Sequence, residues 1–151
     1  MTTGDELIGP FAEAVAVTLR EMAGVEAVVR DAAPAAGPAG FGDVSAVLRL
    51  STGGEGYMVL SLPAATAAAL AGRVLGGVIG EPDAAMVLDC AGELANVIAG
   101  QAKTMLVGTP HHFTFSTPRV ADGDPGLPAG EWWVAAFLSD AGEFSLHLCL
   151  P

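Results

Sequence analysis

The predicted order of helices and strands repeats along the chain, and this repeat constrains the fold more than any other feature. Residues 5–62 are predicted to form a helix, a strand, a loop and a β-hairpin. Residues 84–150 are predicted to form the same series, and an Ala-rich helix over 63–75 joins the two units. Because amphipathic helices and half-buried strands must cover one another's apolar sides, the repeat predicts an α/β fold of two similar units.

The strands are predicted from alternating apolar and polar residues. The clearest alternation is at 43–51, where Val47 is the one apolar residue on the polar side. The predicted strands cover residues 25–30, 43–51, 57–62, 112–116, 131–138 and 143–150. Residues 31–40 are rich in Ala, Pro and Gly and are predicted to form a loop, as are the residues from 117 to 130.

The composition limits the classes of protein that this chain can belong to. A chain of 151 residues that is 52% hydrophobic can bury one core, so we expect residues 1–151 to form a single domain. The net charge is −11, and the six Lys and Arg residues form no basic patch, which argues against binding nucleic acid or an anionic membrane surface.

The N-terminus does not resemble a signal peptide, and Arg73 interrupts the longest apolar run. Cys90 and Cys149 are predicted to be free thiols, which fits a cytoplasmic protein.

A helix predicted over residues 84–107 carries a narrow polar stripe. At about 100° per residue, one side of the helix collects polar residues and a glycine, namely Asp89, Glu93, Asn96, Gly100 and Lys103. The opposite side is apolar and consists of Val87, Leu94, Ile98, Ala102 and Met105. Since the apolar side must face a core, Glu93 and Asn96 are presented together to solvent or to a partner.

Gly92 and Gly100 lie inside this helix, close to the polar stripe. An exposed glycine in a helix interior costs about 1 kcal/mol relative to alanine. A partner that approaches the helix backbone closely would explain both glycines. From the residues alone, a solvated helix face with glycines that help packing is the slightly favoured explanation, because an exposed Glu and Asn three residues apart are common.

The other candidates for chemistry have simpler explanations. His111 and the following histidine have no Cys, Asp or Glu at the spacing of a metal site, and a turn before a strand accounts for them. His147 alternates with apolar residues of the last strand and is expected to point away from the core. Ser145 belongs to no recognisable Ser-His-Asp arrangement. Trp132 and Trp133 are expected on opposite faces of their strand.

Three features of the sequence resemble one family. The spacing Asp-x3-Glu-x2-Asn-x3-Gly, followed by Pro118, resembles the signature of the CheC/CheX family of chemotaxis phosphatases. The string Gly-Glu-Leu-Ala-Asn-Val-Ile-Ala-Gly-Gln-Ala-Lys at 92–103 resembles the CheX branch, as does Ile-Gly-Pro-Phe at 8–11. The order of elements also fits, so the resemblance covers nearly the whole chain.

The resemblance implies an enzyme that dephosphorylates CheY-like response regulators at an aspartyl phosphate. It implies that Asn96 orients the attacking water and that Glu93 pairs with a lysine of the regulator. The regulator would supply Mg²⁺, so we expect no cofactor and no metal site in this chain. The other positions expected to contact the partner are Asp89, Gly92, Gly100 and Lys103.

The resemblance also bears on the repeat and on assembly. Alignment of the two long helices at their C-terminal ends puts Pro10 opposite Glu93 and Glu13 opposite Asn96, so only the second unit holds the pair. The implied architecture is a largely antiparallel six-stranded sheet covered by helices, and a homodimer is implied as well. The alternative is a non-catalytic module that binds receiver domains or belongs to a flagellar switch, but retention of both Glu93 and Asn96 favours the phosphatase.

Overall fold

The computed structural model describes residues 3–76 and 81–149, and both predicted units are present in it. The first unit comprises α1 (Thr3–Ala23), β1 (Ala27–Ala35), β2 (Val44–Ser51) and β3 (Glu55–Leu62). The helix α2 (Ala64–Val74) connects the units. The second unit comprises α3 (Ala84–Met105), β4 (Thr114–Phe115), β5 (Arg119–Asp122), β6 (Trp132–Ser139) and β7 (Phe144–Cys149). The end of the last predicted strand, at residue 150, lies outside the described residues.

All strands join one antiparallel sheet whose order reflects the repeat. The order is β1-β6-β7-β3-β2-β4, and β5 also pairs with β2. Each unit supplies one central strand, β3 or β7, and these two pair with each other. In the two units, β1 corresponds to β4 and β5, β2 to β6, and β3 to β7. When each strand is replaced by its counterpart in the other unit, the same strand order is obtained, read from the opposite edge of the sheet. The α/β class and the two-unit organisation are therefore confirmed.

Within residues 3–76 and 81–149 the sheet has seven strands rather than the predicted six, because β5 lies in the stretch predicted as a loop. The predicted strand at 112–116 is reduced to β4, and the chain then pairs with β2 a second time, from Val44 opposite Asp122 to Val47 opposite Arg119. The two short strands thus line the same edge of β2 and are separated by residues 116–118. This pairing depends on a distant strand, so local alternation does not indicate it.

The strand β1 is longer than predicted and includes the first half of the segment predicted as a loop, residues 31–35. It pairs with β6 from Ala27 opposite Ser139 to Ala35 opposite Trp132, with a shift in register between Val29 and Asp31. Pro34 is accommodated because β1 is an edge strand, where one side of the backbone needs no partner strand.

The main core lies between the helices and one face of the sheet. It joins apolar side chains of α1, α2 and α3 with alternate residues of the strands, among them Phe11, Leu48, Leu60, Leu94, Ile98 and Leu146. Complete burial of a leucine or isoleucine side chain contributes about 2 kcal/mol. None of the helices in the described residues is long and apolar enough to cross a membrane.

The opposite face of the sheet carries a smaller cluster that loops cover. It contains Val47, Val59, Trp132 and Cys149, with Phe41, Tyr57 and Leu127 packed against it. Trp133 packs against the main core instead, so the two tryptophans lie on opposite faces as predicted. Both cysteines are free and buried.

His147 also lies on this second face and is 1% exposed. It points away from the main core as predicted, but Phe41 covers it, with 4.6 Å between the ring centroids. Its Nε2 lies 2.8 Å from the Ser145 hydroxyl, and its Nδ1 has no partner among the described residues. Burial lowers the pKa of His147 to about 4, so the ring is neutral at pH 7.

The protonation of His147 predicts a decline in stability at acidic pH. The unfolded chain takes up this proton near pH 6.5, whereas the folded chain does so only near pH 4. The contribution to stability is therefore complete above pH 6.5 and is lost as the pH falls towards 4, by about 3 kcal/mol in all. Chemical denaturation at pH 7 and pH 4.5 should show a smaller decline for His147→Gln than for the native chain. His112→Gln, at an exposed histidine, is the control; equal declines in the native chain and His147→Gln would contradict the assignment.

Candidate functional site

The helix α3 sets the direction of the candidate site residues. Its N-terminus is capped by Asp83, whose carboxylate accepts a hydrogen bond of 2.9 Å from the Met86 amide. Leu94 and Ile98 are fully buried on its inner side. The predicted helix over 84–107 is therefore confirmed to within two residues, and its polar stripe is turned outward.

Glu93 and Asn96 lie on this outward stripe, one helical turn apart. Glu93 is exposed and Asn96 is half-buried. At a spacing of three residues on a helix, their Cβ atoms are about 5–6 Å apart. Neither side chain forms a hydrogen bond or an ion pair with another described residue. The carboxylate and the carboxamide therefore remain available to an external group.

A shallow groove of about 330 Å³ adjoins Asn96 and runs between α3 and β4. It is lined by Asn96, Val97, Gly100, Gln101, Thr104 and Phe115. A Cβ atom at Gly100 would meet nothing within 4 Å, so this glycine leaves open space beside the helix backbone. The Thr104 hydroxyl donates a hydrogen bond of 3.0 Å to the Gly100 carbonyl, so this carbonyl already has a side-chain partner.

Lys103 lies over Phe115, one of the residues that line this groove. The Lys103 Nζ lies 5.8 Å from the centroid of the Phe115 ring, a distance at which a cation–π attraction holds the ammonium group near the ring. Phe115 also packs against Phe113, with 6.0 Å between the ring centroids. Phe115 is not recognisable as a site residue from the sequence alone, because its place beside α3 follows from the pairing of β4 with β2.

Gly92 is not on the open face, which corrects the expectation that it contacts a partner. It is buried, and a Cβ atom there would lie 3.2 Å from Val120 Cγ2 and 3.7 Å from Pro118 Cγ. Gly92 therefore allows α3 to pack closely on β5. Pro118, between β4 and β5, belongs to this internal contact.

The remaining stripe residues are placed as the helical spacing requires. Asp89 is exposed near the start of the helix, and Gly100 and Lys103 are half-buried. Burial, and secondarily the charge of Glu93, raises the pKa of the Cys90 thiol, so Cys90 remains protonated beneath the stripe.

His111 lies in a turn, and its Nε2 is 2.6 Å from a carboxylate oxygen of Glu6. Within residues 3–76 and 81–149, no three His, Cys, Asp or Glu side chains are grouped to hold a metal ion.

The sequence matches the family described as "Chemotaxis phosphatase CheX" over residues 44–129. This match includes α3 with the whole polar stripe, and also β4 and β5. Because it spans more than half of the chain, the protein belongs to the CheX family. No curated protein sequence matches the chain.

Solved structures show the same fold along nearly the whole chain. A CheX chemotaxis protein from Desulfovibrio desulfuricans is 28% identical, with a TM-score of 0.85 over 97% of this chain and 99% of that one. The CheX–CheY–BeF₃–Mg²⁺ complex from Borrelia burgdorferi matches at 21% identity and a TM-score of 0.73, over 95% and 96% of the two chains. FliY from Thermotoga maritima matches at 19% identity and a TM-score of 0.68, over 99% and 91%. The last two likenesses show the shared fold alone.

The different surroundings of the two glycines predict opposite effects on stability. Gly100→Ala should raise the free energy of unfolding by about 1 kcal/mol, because alanine favours the helix and its methyl group enters open space. Gly92→Val should lower it by roughly 1–3 kcal/mol, because the new side chain overlaps Val120. Urea denaturation of the two variants measures both values. A stabilised Gly92→Val, or a Gly100→Ala that loses stability, would show that the packing of α3 differs from this description.

Proposed function

We propose that the protein is a phosphatase that hydrolyses the aspartyl phosphate of a CheY-like response regulator. The observation that carries the proposal is the outward pair of Glu93 and Asn96, which have no partners among the described residues, with an open groove beside Asn96. Membership of the family described as "Chemotaxis phosphatase CheX" supports this activity. The complex of the Borrelia burgdorferi CheX with CheY supports a CheY-like partner.

The carboxamide of Asn96 is suited to holding the attacking water. An amide can donate to the water oxygen and accept one of its protons, which fixes a lone pair in line with the phosphorus atom. Phosphoryl transfer needs little covalent chemistry from the protein, so positioning the water can supply a large share of the rate acceleration. A neutral amide performs this role without repelling the phosphoryl oxygens.

The carboxylate of Glu93 is suited to a cation of the regulator. A negative group beside a phosphoryl group is repelled unless a positive group lies between them. We therefore assign Glu93 to an ion pair with a lysine of the regulator, which sets the register of α3 on the partner. The regulator supplies the Mg²⁺ ion that neutralises the developing charge, and this chain contributes no cofactor.

The rest of the outward stripe supports docking of α3 against the regulator. The open space at Gly100 would let a partner side chain reach the helix and rest against Phe115. Lys103, held over the Phe115 ring, would meet an acidic or carbonyl group at the end of that contact. We expect Asp89, which is exposed one turn before Glu93, to lie at the edge of the same contact.

A non-catalytic module that binds receiver domains is the alternative. The fold is also found in proteins with other names, among them FliY of Thermotoga maritima, so the fold alone does not decide between hydrolysis and binding. A module of this kind has no need of a water-orienting amide. The presence of Asn96 beside Glu93 therefore favours hydrolysis.

Replacement of Asn96 tests the catalytic proposal. Loss of the aspartyl phosphate from a labelled CheY-like receiver domain should be faster with the native protein than without it. Asn96→Ala should reduce this acceleration by roughly 10²-fold or more, because the water loses its positioning group. Glu13→Ala is the matched control, since Glu13 is exposed at the corresponding place on α1 and should leave the rate unchanged.

Two further variants separate binding from chemistry. Glu93→Gln and Gly100→Ala should mainly raise the KM for the phosphorylated receiver, because each weakens docking of α3. Gly72→Ala, at a helical glycine of α2 that is equally open, should change neither KM nor kcat. An acceleration that survives Asn96→Ala would sink the proposal, and binding of the receiver without any acceleration would support the non-catalytic module.

We also propose a homodimer, as the resemblance to the family implies. The edge strand β1 supports it, since an edge has unpaired backbone groups and Val28 and Val29 are 61% and 43% exposed there. Sedimentation equilibrium should give twice the chain mass, and Val28→Lys should shift the protein towards monomer. A monomer at micromolar concentration would contradict this assembly.

A further inference from the structure

Two arginine side chains project from the face of the sheet that the helices do not cover. Arg119 of β5 lies opposite Val47 of β2, whose side chain belongs to the cluster on that face. Residues directly opposite in an antiparallel pair point to the same side, and so do alternate residues of one strand. Arg49, two residues beyond Val47, therefore projects from the same face as Arg119.

These arginines line a groove of about 370 Å³ between the sheet and the loop that follows β5. The residues that line it include Tyr57 and Thr117, which carry hydroxyl groups, and the apolar residues Val47 and Leu127. This volume is within the range of sites for small molecules, about 300–1,000 Å³.

The charge in this groove is opposite to that of the whole protein. The chain has a net charge of −11 and only six Lys and Arg residues, two of which are in the groove. Arg49 Nη1 lies 3.1 Å from Glu55 Oε1, an exposed pair that water screens strongly. Arg119 Nη2 donates to the neutral Pro125 carbonyl at 3.1 Å, and Arg119 forms no ion pair with the described residues. Positive charge therefore remains available to an anion.

The groove is separate from the site on α3. Phe115 of β4 lines the groove beside Asn96, whereas Thr117 and Arg119 line the groove on the opposite face. The backbone of β4 and β5 thus lies between the two grooves.

We infer that the arginine groove binds a small organic phosphate. A guanidinium group can donate two parallel hydrogen bonds to phosphate oxygens, and two such groups can hold one phosphate. The hydroxyl groups of Tyr57 and Thr117 provide further donors. The apolar side chains of Val47 and Leu127 take the carbon portion of the ligand, so a phosphate ester binds more tightly than free phosphate.

Phenyl phosphate is a suitable probe because it joins a phosphate to a small apolar ring. Isothermal titration should show saturable binding of phenyl phosphate, weaker binding of inorganic phosphate and no binding of phenol. The fluorescence of Trp132 should report the same event, since its ring centroid lies 6.5 Å from that of Tyr57. Arg119→Gln should weaken binding of phenyl phosphate by roughly tenfold or more.

Arg73→Gln is the matched control, because it removes the same charge from an exposed position on α2. It should leave the affinity unchanged. If Arg119→Gln lowers the thermal stability by disturbing the loop, Arg49→Gln takes its place and should weaken binding to a similar extent. Absence of saturable binding would overturn the inference. So would equal losses in Arg73→Gln, equal affinities for inorganic phosphate and phenyl phosphate, or binding that depends on Asn96 instead of Arg119.

Discussion

The close packing of α3 on the sheet is the constraint on which the rest of the structure depends. The inner side of the helix is buried in the main core, and Gly92 permits contact with Val120 and Pro118 of the β5 edge. A Cβ atom at Gly92 would lie only 3.2 Å from Val120 Cγ2, so Val120 or the helix would have to shift. Because these contacts fix the rotation of α3 about its own axis, they also fix which residues face outward. The outward direction of Glu93 and Asn96 is thus a consequence of the core, and the site needs no support from hydrogen bonds of its own.

The two units share a topology but differ at the two places that matter for the site. The long helix of the first unit has Pro10 and Glu13 where the second has Glu93 and Asn96. The edge strands differ as well, since β1 is one strand with a shift in register, whereas β4 and β5 are separated by residues 116–118. That interruption brings Phe115 to the groove beside Asn96 and Pro118 onto Gly92. A symmetric fold therefore holds the candidate phosphatase site in one unit, because the second unit alone has both the polar pair and the interrupted edge.

Local patterns in the sequence were sufficient for the helices, the two-unit order and the polar stripe. The helical spacing alone placed Glu93 and Asn96 on one outward face, because a long amphipathic helix has only one way to bury its apolar side. Features that depend on distant partners were not predictable. β5 is a strand only because β2 offers a free edge, and Gly92 is buried only because β5 lies there. His147 likewise alternates as a surface residue would, but the loop with Phe41 covers it.

The most direct test of the central claim is a crystal structure of this protein bound to a CheY-like receiver domain that carries beryllium trifluoride as the phosphoryl mimic. We expect α3 to lie across the active site of the receiver. The carboxamide of Asn96 should be within hydrogen-bonding distance of a water in line with the beryllium atom, and the carboxylate of Glu93 should contact a receiver lysine. A complex in which another surface meets the receiver, with both side chains in bulk solvent, would contradict the claim.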